Sequence, residues 1–115
     1  MKRGDVYWAD LKPRSGSEQQ RTRPVVVISH DAFNQTPSWS SVIVVPVSTS
    51  RAQAKRGPTA LLLPKGSAGL KRESVALCHQ VTTLDRSKLT KQVGTLSSLL
   101  LQQLEAALKA ALGLS

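Results

Sequence analysis

The chain has 115 residues and a formal net charge of +9, from 16 Lys and Arg against 7 Asp and Glu. That length suits one domain over residues 1–115, large enough to bury a core without covalent staples. A single cysteine, Cys78, excludes an intrachain disulfide and a cysteine-built zinc site.

A lone thiol also favours a reducing, cytoplasmic setting. The N-terminal "MKRGDVYW" is charged and then strand-like, and no stretch reaches the ~20 apolar residues of a membrane span, so a soluble, non-exported protein is expected. A positive field this strong on a small domain draws polyanions, either nucleic acid or an acidic protein segment. Generic solubility charge is the plain alternative.

In chain order, "DVYWADL" (5–11) is rich in strand formers and bounded by Gly4 and Pro13. Residues 12–23 have loop chemistry. Pro24 opens "VVVIS", a short apolar run expected as a buried strand. Residues 30–40 are a connection. "SVIVVPVS" (41–48) carries the strongest strand signal, and Pro46, lacking an N–H, predicts an edge or a bulge near its end. Residues 49–58 are expected as a mobile basic loop, "TALLLP" as a strand and "KGSAGLKR" as a turn. "ESVALCHQVTT" (73–83) alternates in the manner of one strand, with His79 and Gln80 near its middle and pointing to opposite faces. "LDRSKLT" suits one helical turn and "KQVGTL" a last strand.

From Leu99 onward the spacing becomes helical. Leu100, Leu104, Leu108 and Leu112 form a stripe that Leu101 and Ala111 widen. Ser97 suits the N-cap and Gly113 the residue after the last turn. Five to seven short strands followed by one amphipathic helix predict a mainly β, α+β architecture: a small, bent sheet or partial barrel backed by that helix.

No phosphate-binding loop, dinucleotide fingerprint or HExxH is present, and the seven acids are scattered singly, so metal-free chemistry without a cofactor is expected. Arg21 and Arg23 offer planar charged forks suited to phosphate. Arg23 precedes Pro24 and is thereby biased to extended geometry. Glu18 and Gln19 could hold an arginine or read a base edge, and an ordinary solvated loop is the alternative. Ser48, Thr49 and Ser50 stand where the strongest strand ends, as phosphate donors or as turn residues. His79 is a candidate proton shuttle or a sheet residue. Lys55 and Arg56 suit a phosphate-attracting rim or a solvated loop. Trp8 is expected in the core, and Cys78 as a buried small side chain.

The ordered string "MKRGDVYWADLKP", "GSEQQRTRPVVVISHDAFN", "VIVVPVSTS", "GLKRESVALCHQVTTLDRSKL", "VGTLS" and a terminal helix resembles the MazF/PemK toxins of bacterial type II toxin–antitoxin modules. The likeness runs over nearly the whole chain. It implies the SH3-like CcdB/PemK barrel with a C-terminal helix, and a homodimer. It implies a sequence-specific, metal-independent endoribonuclease that cuts single-stranded mRNA. The 2′-hydroxyl would attack, leaving a 2′,3′-cyclic phosphate and a 5′-hydroxyl end. A cognate antitoxin would cover the basic groove with an acidic, disordered tail, and DNA would be met only through that antitoxin. Residue by residue, the family arginine before the proline falls at Arg23. The family threonine after the third strand falls at Ser48, which keeps the hydroxyl without the methyl. The family glutamine falls at Gln80, while Thr82 and His79 stand where an arginine and an acid are usual.

On that resemblance Arg23 and Ser48 are the expected catalytic residues, Arg23 stabilising the phosphorane and Ser48 donating to a non-bridging oxygen. Glu18 and His79 are the candidates for general base, and Gln19, Arg21, Thr49, Lys55, Arg56 and Gln80 would contact RNA. Arginine stays protonated in proteins, which argues against Arg23 as the base. Two alternatives stand beside this reading: a CcdB-like gyrase poison, and a catalytically inactive RNA- or antitoxin-binding module. The first uses an aromatic at the extreme C-terminus, whereas this chain ends "LGLS".

Overall fold

The computed structural model describes residues 1–11 and 21–115, with Arg21 described in its backbone alone. The strands are β1 (Asp5–Leu11), β2 (Arg21–Val27), β3 (Ser41–Ser48), β4 (Ala60–Leu63), β5 (Ser74–Leu77), β6 (Thr82–Asp85) and β7 (Leu89–Thr95). A short helix α1 (Asp31–Asn34) links β2 to β3, and α2 (Ser98–Leu112) follows β7. All pairings are antiparallel, in the order β4-β5-β3-β2-β1-β7, with β6 on β3. The sheet path is open: β4 and β7 end it without pairing, so the expected SH3-like barrel is present as a bent sheet that does not close.

Alternation explains how so short a sheet carries two cores. A strand sends successive side chains to opposite faces. Val26, Val45 and Val47 point to one face and pack with Val6, Leu63, Ala76, Cys78 and the α2 residues Leu104, Ala107 and Leu108. Val25, Val27, Val42 and Val44 point to the other and pack with Ala9, flanked by Tyr7, Leu11, Leu84 and Leu89. Each valine fully buried in this way contributes roughly 1.5–3 kcal/mol. The run "VVVIS" is continuously apolar because both of its faces are covered.

β3 is the hub. Its 41–44 half pairs with β6 and its Val47 and Ser48 with β5, both along one flank, while β2 takes the other flank. Val45 and Pro46 fall in the gap between the two partners. Pro46 therefore sits in an interior strand, not at an edge, at the place where the ladder on one flank is already interrupted. The same switch breaks the strand expected over 73–83. Leu77 ends β5, Cys78–Gln80 form a 3-10 turn against β3, and β6 starts at Thr82. Placing His79 and Gln80 on opposite faces of one strand is thereby corrected.

Three further expectations change. Trp8 is 40% exposed and not a core residue, because β1 runs past the end of the helix-covered core at Val6. Residues Arg51–Thr59 are a chain of 3-10 turns packed on β4, β5 and α2, reversed at Gly57, whose φ of 77° suits glycine. "LDRSKLT" splits into the end of β6, a 3-10 turn at Arg86–Lys88 and the start of β7. Cys78 is buried as expected, and desolvation pushes its thiol up to about 11.

The two ends of the chain meet. β1 pairs with β7, Asp5 opposite Thr95, and the Leu96 N–H donates to the Gly4 carbonyl at 2.9 Å. Arg3 donates through Nε to the Ile28 carbonyl and pairs through Nη1 with Glu105 of α2. Its backbone N–H donates to Asp31, and that bond, together with Asn34, holds the Asp31 carboxyl below its usual range. Ser97 caps α2 by accepting from the Leu100 N–H, and Gly113, at φ 72°, closes it onto the Lys109 carbonyl.

Candidate active site

The register of the sheet assembles the site. The β2–β3 ladder ends at Val25 opposite Pro46; continued two residues, it sets Arg23 across from Ser48. Ladder pairs extend the same row on both sides: Arg23 with Ala9, Ala9 with Leu89, Ser48 with Val75, and Val75 with Leu62. Directly opposed residues share a face, with Cα atoms about 5 Å apart. Arg23 and Ser48 are both half-buried at strand ends, beyond the valine cluster that supports them. Pro24, opposite Trp8, keeps the backbone of Arg23 extended.

Ser48 is oriented by its own turn. The Ser50 N–H donates to Ser48 Oγ at 3.0 Å, which occupies one lone pair and leaves the hydroxyl proton free to donate outward. Of the two readings the sequence offered for Ser50, phosphate donor or turn residue, this contact is the turn one, a hydroxyl accepting from the backbone two residues on. Leu62 was not singled out in the sequence. It is 49% exposed on the Ser48 row, and only the long-range register reveals its position.

The other candidates distribute as follows. Thr49 is exposed just past Ser48, and Lys55 and Arg56 are exposed on the Arg51–Thr59 turns. Gln80 is exposed and His79 half-buried on the Cys78–Gln80 turn, which follows β5 and packs on β3. Desolvation, and then the positive charge of Arg56, lower the His79 pKa from its usual value. Arg21 extends β2 opposite Leu11. The Arg21 side chain, Glu18 and Gln19 lie outside the described residues. Among the described residues no three His, Cys, Asp or Glu side chains gather as a metal-ligand set, and no helix is long and apolar enough to cross a membrane.

A bent antiparallel sheet of seven strands backed by one terminal helix, carried by a strongly basic chain, defines a small α+β domain of mainly β architecture. The chain belongs to the PemK-like, MazF-like toxins of type II toxin–antitoxin systems, whose family profile matches residues 2–112. It is 38% identical over 114 residues to the endoribonuclease MazF of Staphylococcus saprophyticus, covering 99% of this chain and 92% of that relative. Its fold is similar to the crystal structure of MazF (form I) from Deinococcus radiodurans, with 27% identity, 99% and 97% of the two chains covered, and a TM-score of 0.78. The MazE–MazF structure (form II) from the same organism is similar at 28% identity, with 100% of this chain and 97% of that chain covered and a TM-score of 0.75.

Proposed function

We propose that this toxin is a sequence-specific, metal-independent endoribonuclease acting on single-stranded mRNA. The reading is supported by the β2–β3 register, which ends at Val25 opposite Pro46 and, carried on by two residues, would bring Arg23 level with Ser48 in a strongly basic domain, in a family whose S. saprophyticus relative is an endoribonuclease.

The chemistry follows from what those groups can do. Attack of a 2′-hydroxyl on the adjacent phosphorus builds negative charge on the phosphorane oxygens, which preoriented donors stabilise. Arg23 supplies a fork that stays charged at any working pH. Ser48, with Oγ already accepting from Ser50, donates its proton to a non-bridging oxygen. Departure of the 5′ oxygen leaves a 2′,3′-cyclic phosphate and a 5′-hydroxyl end. Lys55, Arg56, Thr49 and Gln80, with Gln19 and Arg21, lead the RNA toward the row. A homodimer, cytoplasmic action, and inhibition by a cognate antitoxin whose acidic, disordered tail covers the basic rim complete the reading. The MazE–MazF complex in the Deinococcus structure and the net charge of +9 support the antitoxin assignment.

The test is incubation of the purified chain with a long single-stranded RNA in EDTA, followed by mapping of the ends. Discrete cuts with 5′-hydroxyl ends are expected, and Arg23→Ala should lose about 10²–10³ in kcat with its circular-dichroism spectrum unchanged. Intact RNA with poisoned gyrase would install the CcdB-like alternative instead. Intact RNA with active gyrase would leave a binding module.

A further inference from the structure

The chain has four aromatic residues, Tyr7, Trp8, Phe33 and Trp39, and neither core holds one of them fully buried. Aromatic rings are the largest apolar groups a core can take, so rings left outside ask for a reason. Phe33, on α1, is 42% exposed, and Trp39, two residues before β3, is 50% exposed. The two rings lie face to face and almost parallel. His30 tilts against Phe33, its centroid 5.9 Å away. Phe33 covers one face of the indole, so what Trp39 exposes is the opposite face and the ring edges. The stack is held in place. Arg86 donates to the carbonyls of Phe33, Thr36 and Trp39. Thr36 Oγ1 donates to the Ala32 carbonyl at 2.6 Å, and the Trp39 N–H to the Thr36 carbonyl at 3.0 Å. A flat, exposed ring fixed in this way loses little freedom when a partner stacks on it.

We infer that this corner is a base-stacking platform: the open face of Trp39 receives one unpaired nucleobase of the RNA, away from the scissile phosphate. The inference rests on the endoribonuclease reading and adds to it a site for a flanking base. A nucleobase is flat and has a π-face, so it continues a parallel stack, and single-stranded nucleic acid is bound in this way by aromatics beside positive charge. The charge is present. Arg86 and Lys88 share the 3-10 turn next to the stack. The two carboxylates beside it in the chain are engaged, Asp31 by the Arg3 N–H and Asp85 by the Ser87 N–H. The whole domain carries +9.

Chain geometry bounds the distance to the catalytic arginine. Leu89 follows the Arg86–Lys88 turn and pairs with Ala9, which pairs with Arg23. Three chain steps of about 3.8 Å and two strand spacings of about 5 Å put the Arg86 backbone at most about 21 Å from that of Arg23. A few nucleotides of extended single strand span that distance, within the ~4–16 nucleotides that small single-strand-binding domains occupy.

The probe is an oligoribonucleotide spanning a cut first mapped with the wild-type chain, with a 2′-deoxy nucleotide at the cut so that it binds uncleaved. Stacking of one base on an aromatic is worth about five- to 150-fold, so Trp39→Ala should raise Kd at least about fivefold, with kcat on the cleavable RNA within about threefold. Trp39→Leu keeps the apolar cover without the ring and should weaken binding as much, whereas Trp39→Phe should keep most of the affinity. Abasic units placed one at a time along the RNA should reveal a position away from the cut that raises the wild-type Kd. That position should add nothing further in Trp39→Ala. In Trp8→Phe, where Trp39 is the one indole left, the RNA should quench the fluorescence. Where melting shows that a Trp39 variant does not fold, the abasic scan and the quenching, both read on chains that keep Trp39, decide. An unchanged Kd in the Ala and Leu variants, an abasic penalty undiminished in Trp39→Ala, or unquenched Trp39 overturns the platform and leaves the ribonuclease intact. A raised Kd that comes with a smaller sedimenting mass also overturns it and assigns the corner to contact between copies. A wild-type chain that neither binds nor cuts RNA overturns the underlying reading instead.

Discussion

One arginine shows how little of this surface is decoration. Arg86 donates through Nη2 to the carbonyls of Phe33, at 2.8 Å, and Thr36, at 3.1 Å, and through Nε to that of Trp39. The loop it gathers holds Phe33 and Trp39 stacked, with ring centroids 4.5 Å apart and planes 7° from parallel. Charge-assisted bonds of this kind outlast neutral ones, but the site is exposed, so Arg86→Ala should cost about 2 kcal/mol in urea unfolding. Arg86→Lys should recover less than half of that, because an ammonium cannot fork among three carbonyls. At the same scale, Arg23 was legible beforehand, since Pro24 and a valine run fix the backbone that precedes them. Trp8 was not, because a strand former next to Tyr7 and Ala9 gives no sign that its strand outruns the helix covering it.

At the scale of elements, α2 separates what periodicity reveals from what it does not. Leu104 and Leu108 are buried and Leu100 half-buried, but Leu112, on the same stripe, is 54% exposed. The helix runs on past the sheet before Gly113 ends it. Leu104→Ala should therefore destabilise by about 3 kcal/mol, and Leu112→Ala by less than about 0.5, read as urea midpoints at constant m. Equal losses would mean that the helix end is covered in solution. The stripe, the Ser97 cap and the glycine stop were all readable because helical contacts are local. The break at Cys78–Gln80 was not. Its cause lies some thirty residues away, where β3 exchanges β6 for β5. The facing of Arg23 with Ser48 was hidden for the same reason: strand register is a long-range property.

For the whole molecule the governing quantity is charge. Each phosphate neutralised on a single strand contributes a slope of about −0.7 in log affinity against log salt. With about three such contacts, the Kd for an RNA carrying a 2′-deoxy nucleotide at the cut should rise roughly tenfold or more between about 50 and about 200 mM KCl. Replacing Lys55 and Arg56 together with alanine should flatten the slope by about 1.4. A slope unmoved by the double substitution would place the RNA path away from the Arg51–Thr59 turns.

The pairing of β1 with β7 and the bond from Leu96 to Gly4 have a consequence for synthesis. While the chain is still being made, β1, whose Ala9 pairs with Arg23, lacks its second neighbour until β7 has been translated. α2, which seals the other core, comes later still. A chain translated only through β6 therefore lacks both the β1–β7 pairing and the helix that covers one of its two cores. The ribosome holds an incompletely paired sheet until β7 and α2 have both emerged.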